Sequence, residues 1–255
     1  MATFNVNSSV ISHCASWAVI AALRRELRDL KRLAHEDLVF LEAGVGTDNA
    51  AERITKFLEK QSVAFVMGAG MAGALSPHLG VGDLVIVERV IGPSTLMTLP
   101  QLCSLARLVR PDGVDIHLGT AVTTNEFICE ARRKRSLAAA LGAREVGCVD
   151  MESWAVASVC TDRHIPFLIV RSISDRFEED LPLDFNRCRN SRGDLDMLKL
   201  VSAALRRPSS LKGLWQLRGR SILCSQRLAW FVDQFLAVPE VRGLSGAMRP
   251  SSNSS

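Results

Sequence analysis

The sequence predicts an α/β fold in which helices cover both faces of a central, mostly parallel sheet. Apolar runs of strand length alternate with segments of helical pattern, as expected of strands buried on both faces. Two acidic motifs accompany these runs, Val149-Asp150-Met151-Glu152-Ser153 and Val170-Arg171-Ser172-Ile173-Ser174-Asp175. A carboxylate delivered at the carboxyl end of a strand is how open α/β sheets build sites. At 255 residues the chain can bury the core of one large domain.

In order, residues 17–22 (Trp-Ala-Val-Ile-Ala-Ala) form a first buried strand, and the charged residues 24–30 a helix. Residues 38–42 make a second strand, and 44–49 turn into a helix opening at Ala50. The apolar strand 63–67 stops in the turn Gly68-Ala69-Gly70-Met71-Ala72-Gly73. Val81-Gly82-Asp83 introduces strand 84–90. Helix 153–160 follows the first acidic motif, and strand 166–171 leads into the second. A single domain spans 17–240, with 1–16 a flexible extension and 241–255 a flexible tail. Between Arg187 and Arg227 stand ten Lys/Arg and two acids, with leucines and tryptophans interleaved. Residues 187–240 therefore read as a basic, amphipathic helical end, either packed on the sheet or resting on anionic lipid.

Composition narrows the classes. Hydrophobic residues at 47% and charged ones at 23% describe an ordinary globular protein. Seven cysteines with no C-x-x-C pair, and five histidines without ligand spacing, argue against disulfides and a metal and favour a reducing cytosol. The run 17–23 lacks the basic start of a signal peptide and falls short of the ~20 apolar residues of a membrane span. A net charge of +4, without stacking aromatics among the cations, disfavours nucleic acid.

Gly68, Gly70 and Gly73 carry the G-x-G-x-x-G spacing of a dinucleotide fingerprint. A turn with an early proline, Ala74-Leu75-Ser76-Pro77, follows it instead of a long helix. Glu88, near where a ribose-binding acid belongs, lies inside a strand. Close approach of a small ligand suits these glycines better. Each candidate side chain has a plain alternative: Asp175 as a helix cap, Glu152 paired with Arg171 or Arg132, Glu26 on a solvated helix face, Phe127 in the core.

Taken together, residues 68–83, 149–153 and 170–175, with Gly44-Val45-Gly46 and Asn49-Ala50-Ala51, resemble the nucleoside phosphorylase/nucleosidase superfamily in order and spacing. Within it the chain resembles the methylthioadenosine/S-adenosylhomocysteine nucleosidases. The resemblance implies a three-layer phosphorylase/hydrolase-like fold with a central mixed, mostly parallel sheet, a homodimer and no cofactor. It implies cleavage of the N-glycosidic bond of a 5′-substituted adenosine. Carried over by position, Glu152 would hold the ribose hydroxyls and Met151 would pack on the sugar. Asp175 would face the purine N7 with Ser174 in support, and Phe127 and Ile128 would clasp the base. Glu26 would position water, and Gly70 and Met71 would line the substrate.

The chemistry suits these residue types. Breaking the bond leaves positive charge on the sugar and negative charge on the base. For Asp175 to hold a proton near neutrality, its carboxyl must rise from ~3.9 through burial or a neighbouring acid. Phosphorylases of the superfamily hold phosphate with arginines, one just before the central Gly-Ser. Here that region has no arginine, and Met71 stands where serine is usual. Water is the expected nucleophile. Phosphorolysis on the same scaffold is the alternative, and a nucleoside-binding or membrane-associated protein with a degenerate site is the non-enzyme one. The carboxyl-terminal third resembles the hopanoid-associated branch, proposed to strip adenine from an adenosyl group on a polycyclic lipid. That implies a cytoplasmic protein in peripheral contact with the inner face of the membrane.

Overall fold

The computed structural model describes residues 16–33, 38–110, 113–142, 145–190 and 195–241. The extension expected over 1–16 lies outside them except for Ser16, and the tail expected over 241–255 except for Val241. In chain order the elements are β1 (Ser16–Ala21), α1 (Glu26–Leu30), β2 (Leu38–Glu42), α2 (Thr47–Lys60), β3 (Val63–Ala74), β4 (Leu84–Ile91), β5 (Thr95–Met97) and α3 (Pro100–Ala106). There follow β6 (Ile116–Thr123), α4 (Ala131–Ala138), β7 (Gly147–Asp150), α5 (Ser153–Asp162), β8 (Phe167–Asp175), a 3-10 turn (Phe185–Cys188), α6 (Met197–Arg206) and α7 (Ser210–Ala237).

The sheet is mixed, as expected. β2, β1 and β3 run parallel, and β3 also pairs in parallel with β8. β8 lies antiparallel to β4; β4 is parallel to β6, and β6 to β7. β7 returns antiparallel to the end of β3. β3, β8, β4, β6 and β7 thus close into a ring, with β2 and β5 at the edges.

Helices cover both faces, giving three layers. On one, Ile54 and Leu58 of α2 and Val156 and Cys160 of α5 meet Ala18, Val66 and Ile169. On the other, Leu27, Leu102, Leu228 and Phe231 from α1, α3 and α7 meet Val19, Phe65 and Val170. Leu228, Phe231, Val232 and Phe235 are buried. At about 1.5–3 kcal/mol for each large apolar side chain, they fix the second half of α7 to the domain. Val241 is buried in the same core.

Three boundaries differ from the sequence reading. β3 does not stop at Met67 but runs through the glycines to Ala74, because β8 holds it in register from Val66↔Phe167 to Gly73↔Asp175. Residues 68–73 are therefore strand rather than turn, no helix N-terminus stands there to hold a pyrophosphate, and the dinucleotide reading falls. α2 starts at Thr47, since Gly44 and Gly46, with φ of 81° and 94°, complete the turn just before it. α1 starts only at Glu26.

Candidate active site

Strand ends deliver the acids to one region. The β1–α1 connection places Glu26 against the glycine stretch of β3. Its carboxylate accepts the Leu23 N–H at 2.8 Å and the Met71 N–H at 3.1 Å. At 3% exposure it is no solvated-face residue. Burial raises its carboxyl above the usual range, against the pull of the two N–H donors and of Arg171.

Glu152 lies between β7 and α5 and is buried. Its Oε1 accepts the Gly46 N–H at 2.9 Å, and Thr47 Oγ1 donates to the Met151 carbonyl at 3.0 Å. The β2–α2 turn is thereby tied to the first acidic motif, in which Met151 is buried. Burial, and then the neighbouring Asp150, push Glu152 up to about 8, with Arg171 acting against them.

Arg171 does not pair with Glu152 through a hydrogen bond. Its Nε stands 2.6 Å from Asp150 Oδ2 and donates to Ser153 Oγ at 3.0 Å. Arg132 pairs on the surface with Glu130. The Arg171 guanidinium crosses Gly70, where any Cβ would overlap it, and its charge reaches Glu26 and Glu152. This buried pair was missed in the sequence as a unit, although both residues flank apolar runs.

Asp175 ends β8, and no helix follows for it to cap. Ser174 Oγ lies 2.6 Å from Asp175 Oδ1 and 3.2 Å from the Ala72 carbonyl, so its one proton serves one or the other. On Oδ2 sits the ammonium of Lys134, from α4. Lys134 is fully buried and donates also to the carbonyls of Arg176 at 2.7 Å and Glu179 at 3.1 Å. Three N–H donors meet three acceptors. Of the two features expected to keep a proton on Asp175, burial is present, but its neighbour is a cation rather than an acid. Lys134 is a residue the sequence reading did not single out.

β3 sets the spacing of the two ends. Glu26 binds the N–H of Met71, and Asp175 lies in register with Gly73, whose Cβ would stand 2.9 Å from Oδ2. Two strand steps are roughly 7 Å, the separation of the two β3 positions that the acids meet. Met71 contributes its backbone here, so the missing serine costs Glu26 no donor. Its Sδ instead accepts the Ser221 hydroxyl of α7 at 3.3 Å.

Phe127 and Ile128 sit in different surroundings. Ile128 is buried with Leu75, Leu141 and Val149, a core position. The backbone of Phe127 is clamped by the Asn186 amide at 2.8 and 2.9 Å, and its ring stands 5.8 Å from Phe185. It borders a cavity of about 540 Å³ whose lining includes Cys129, Leu183 and Arg207 but not Glu26, Glu152 or Asp175. Among the described residues the buried cations are Arg171 and Lys134, each engaged by an aspartate. Arg24 and Arg25 are exposed. A phosphate dianion finds no uncommitted buried cation here.

Fold and site define the class: a three-layer α/β protein with buried acids gathered at its strand ends. The sequence model of the Phosphorylase superfamily matches residues 30–205, and the chain belongs to that superfamily. It is similar to a 5'-methylthioadenosine/S-adenosylhomocysteine nucleosidase of Geobacillus kaustophilus, 30% identical over 176 residues, 61% of this chain and 74% of that one. A Shewanella sediminis protein of the same name is 25% identical over 194 residues, 67% and 82% of the two chains. Among solved structures, the Helicobacter pylori nucleosidase of that name has the same fold, with a TM-score of 0.67 at 16% identity over 88% and 99% of the chains. The futalosine hydrolase of that organism superposes with a TM-score of 0.67 at 17% identity over 88% and 98%.

Proposed function

We propose that the chain is a purine nucleoside N-ribohydrolase that cleaves the N-glycosidic bond of a 5′-substituted adenosine. The observation that carries this is the placement of opposite chemistry along Met71–Gly73. A buried carboxylate, Glu26, stands at one end, and a buried ammonium–carboxylate couple, Lys134–Asp175, at the other. Glu26 orients a water toward the sugar carbon and accepts the proton the water loses as the C–O bond forms. Glu152 takes the ribose hydroxyls, and ionised Glu26 stabilises the positive charge that grows on the sugar. The couple at Asp175 relieves the negative charge on the departing base by supplying a proton, a step worth about 10²–10⁴-fold in rate.

The names of the relatives support this reading, and so does the engagement of both buried cations by aspartates, which favours water over phosphate. An adenosyl-lipid is the alternative substrate. A homodimer in the cytoplasm belongs to the same proposal. The free thiols Cys103, Cys129, Cys148, Cys160, Cys188 and Cys224 suit a reducing compartment, and sedimentation velocity tests the dimer.

The test is base release from methylthioadenosine, adenosylhomocysteine and 5′-deoxyadenosine, with and without phosphate. Phosphate-independent release of adenine is expected. Release that requires phosphate makes the protein a phosphorylase. A ligand-induced rise in Tm with no release makes it a binding protein.

A further inference from the structure

α6 and the first half of α7 carry large apolar side chains in the open. On α6, Met197, Leu198, Val201 and Leu205 are exposed by 64%, 83%, 52% and 70%. At 3.6 residues per turn these four fall within an arc of roughly 100°, beside the buried Ala204. On α7, Leu211, Trp215 and Ile222 recur at i, i+4 and i+11 and are 50%, 76% and 49% exposed, with Arg218 at i+7 completing the stripe. Only residues 207–209 join the two helices, so the stripes are neighbours along the chain.

Charge says what this face suits. Arg207, Lys212 and Arg218 are exposed along it, and Arg206 on the flank of α6. The acid at the start of α6, Asp196, is occupied in capping, its Oδ1 accepting the N–H groups of Leu198 at 3.0 Å and Lys199 at 3.2 Å. A second copy laid on this face would oppose one row of cations to another. A surface that is anionic at its boundary and apolar beneath complements both features. A tryptophan as exposed as Trp215 belongs at such a boundary, where an apolar ring and a polar N–H are both accommodated. No helix among the described residues is long and apolar enough to cross a membrane, so the contact is peripheral.

We propose that the exposed face of α6 and the first half of α7 docks the protein on an anionic lipid bilayer. The docking is independent of the activity proposed above. It can be measured whether or not a nucleoside is cleaved.

The test is co-sedimentation of the full chain with vesicles of phosphatidylcholine, alone or mixed with phosphatidylglycerol, across a salt series. Binding is expected to the anionic vesicles only and to weaken as salt rises. Leu205→Glu and Trp215→Ser, both at exposed positions, are each expected to lower the partition about tenfold or more with Tm unchanged. Arg206→Glu with Arg207→Glu should do the same. Equal binding to neutral and anionic vesicles overturns the proposal, as does no binding at low salt. A dimer that Trp215→Ser dissolves also overturns it, since the face then belongs to a second copy.

Discussion

The ammonium of Lys134 rests on Oδ2 of Asp175, inside the domain and away from water. The same ammonium holds the carbonyls of Arg176 and Glu179, so the end of β8 and the turn after it are gathered on one buried cation. Breaking a buried pair by removing one partner costs about 3–5 kcal/mol, so the pair matters to the fold as well as to the chemistry.

Lys134→Met is expected to lower stability by about that amount and to cut adenine release by about 10²–10⁴-fold. Lys134→Arg, which keeps the charge, should recover stability more than rate. A riboside whose leaving group needs no proton, such as a nitrophenyl riboside, separates the two roles. Its hydrolysis should survive in a folded Lys134 variant. Equal loss on both substrates would reduce Lys134 to a structural role.

Glu26→Gln should lower kcat by more than about a hundredfold, whereas Met71→Ala should stay within about tenfold, because Met71 meets Glu26 through its backbone N–H. Burial raises the Glu26 carboxyl, so the acid limb of kcat/KM against pH should lie above the ordinary carboxylate range. A limb within that range would count against Glu26 as the group that must ionise.

Gly70→Ala and Gly219→Ala should move stability in opposite directions. A Cβ at Gly70 meets the Arg171 guanidinium, and the displacement should cost about 1–3 kcal/mol together with activity. A Cβ at Gly219, within α7, meets nothing within 4 Å, and alanine there should add about 0.5–1 kcal/mol. Urea midpoints compare the two.

Glu152 links stability to pH. Its carboxyl stands at about 8 in the folded chain against an ordinary 4.5, so the folded state binds the extra proton. Stability from this group is complete below 4.5 and is lost as pH rises through about 8. Tm of the ligand-free wild type should therefore fall over that window, and Glu152→Gln should fall less. Parallel curves would mean that Glu152 is ionised throughout.

The legible parts of this chain were those with local signals. The first half of β8, Phe167 to Val170, announces itself as an apolar run, and the two acidic motifs stand out because charges interrupt such runs. The continuation of β3 through Gly68–Ala74 was not legible, since glycines carry no strand signal and only pairing with β8 extends them. Lys134 was hidden for a different reason. It lies in the run Arg132-Arg133-Lys134-Arg135, whose other three members are exposed, and only the position of α4 over the end of β8 decides which cation is buried. The sequence offered Glu152 as the partner of Arg171; the fold gives Arg171 Asp150 instead.

The most direct test of hydrolysis by the Glu26 and Lys134–Asp175 ends of the site is methylthioadenosine turnover in phosphate-free, oxygen-18 water, with wild type beside Asp175→Asn. The expected result is adenine released together with sugar carrying one heavy oxygen at its anomeric carbon, no stimulation by added phosphate, and a rate at least about a hundredfold lower in the variant. Adenine that appears only once phosphate is added, or at the same rate in Asp175→Asn, would contradict it.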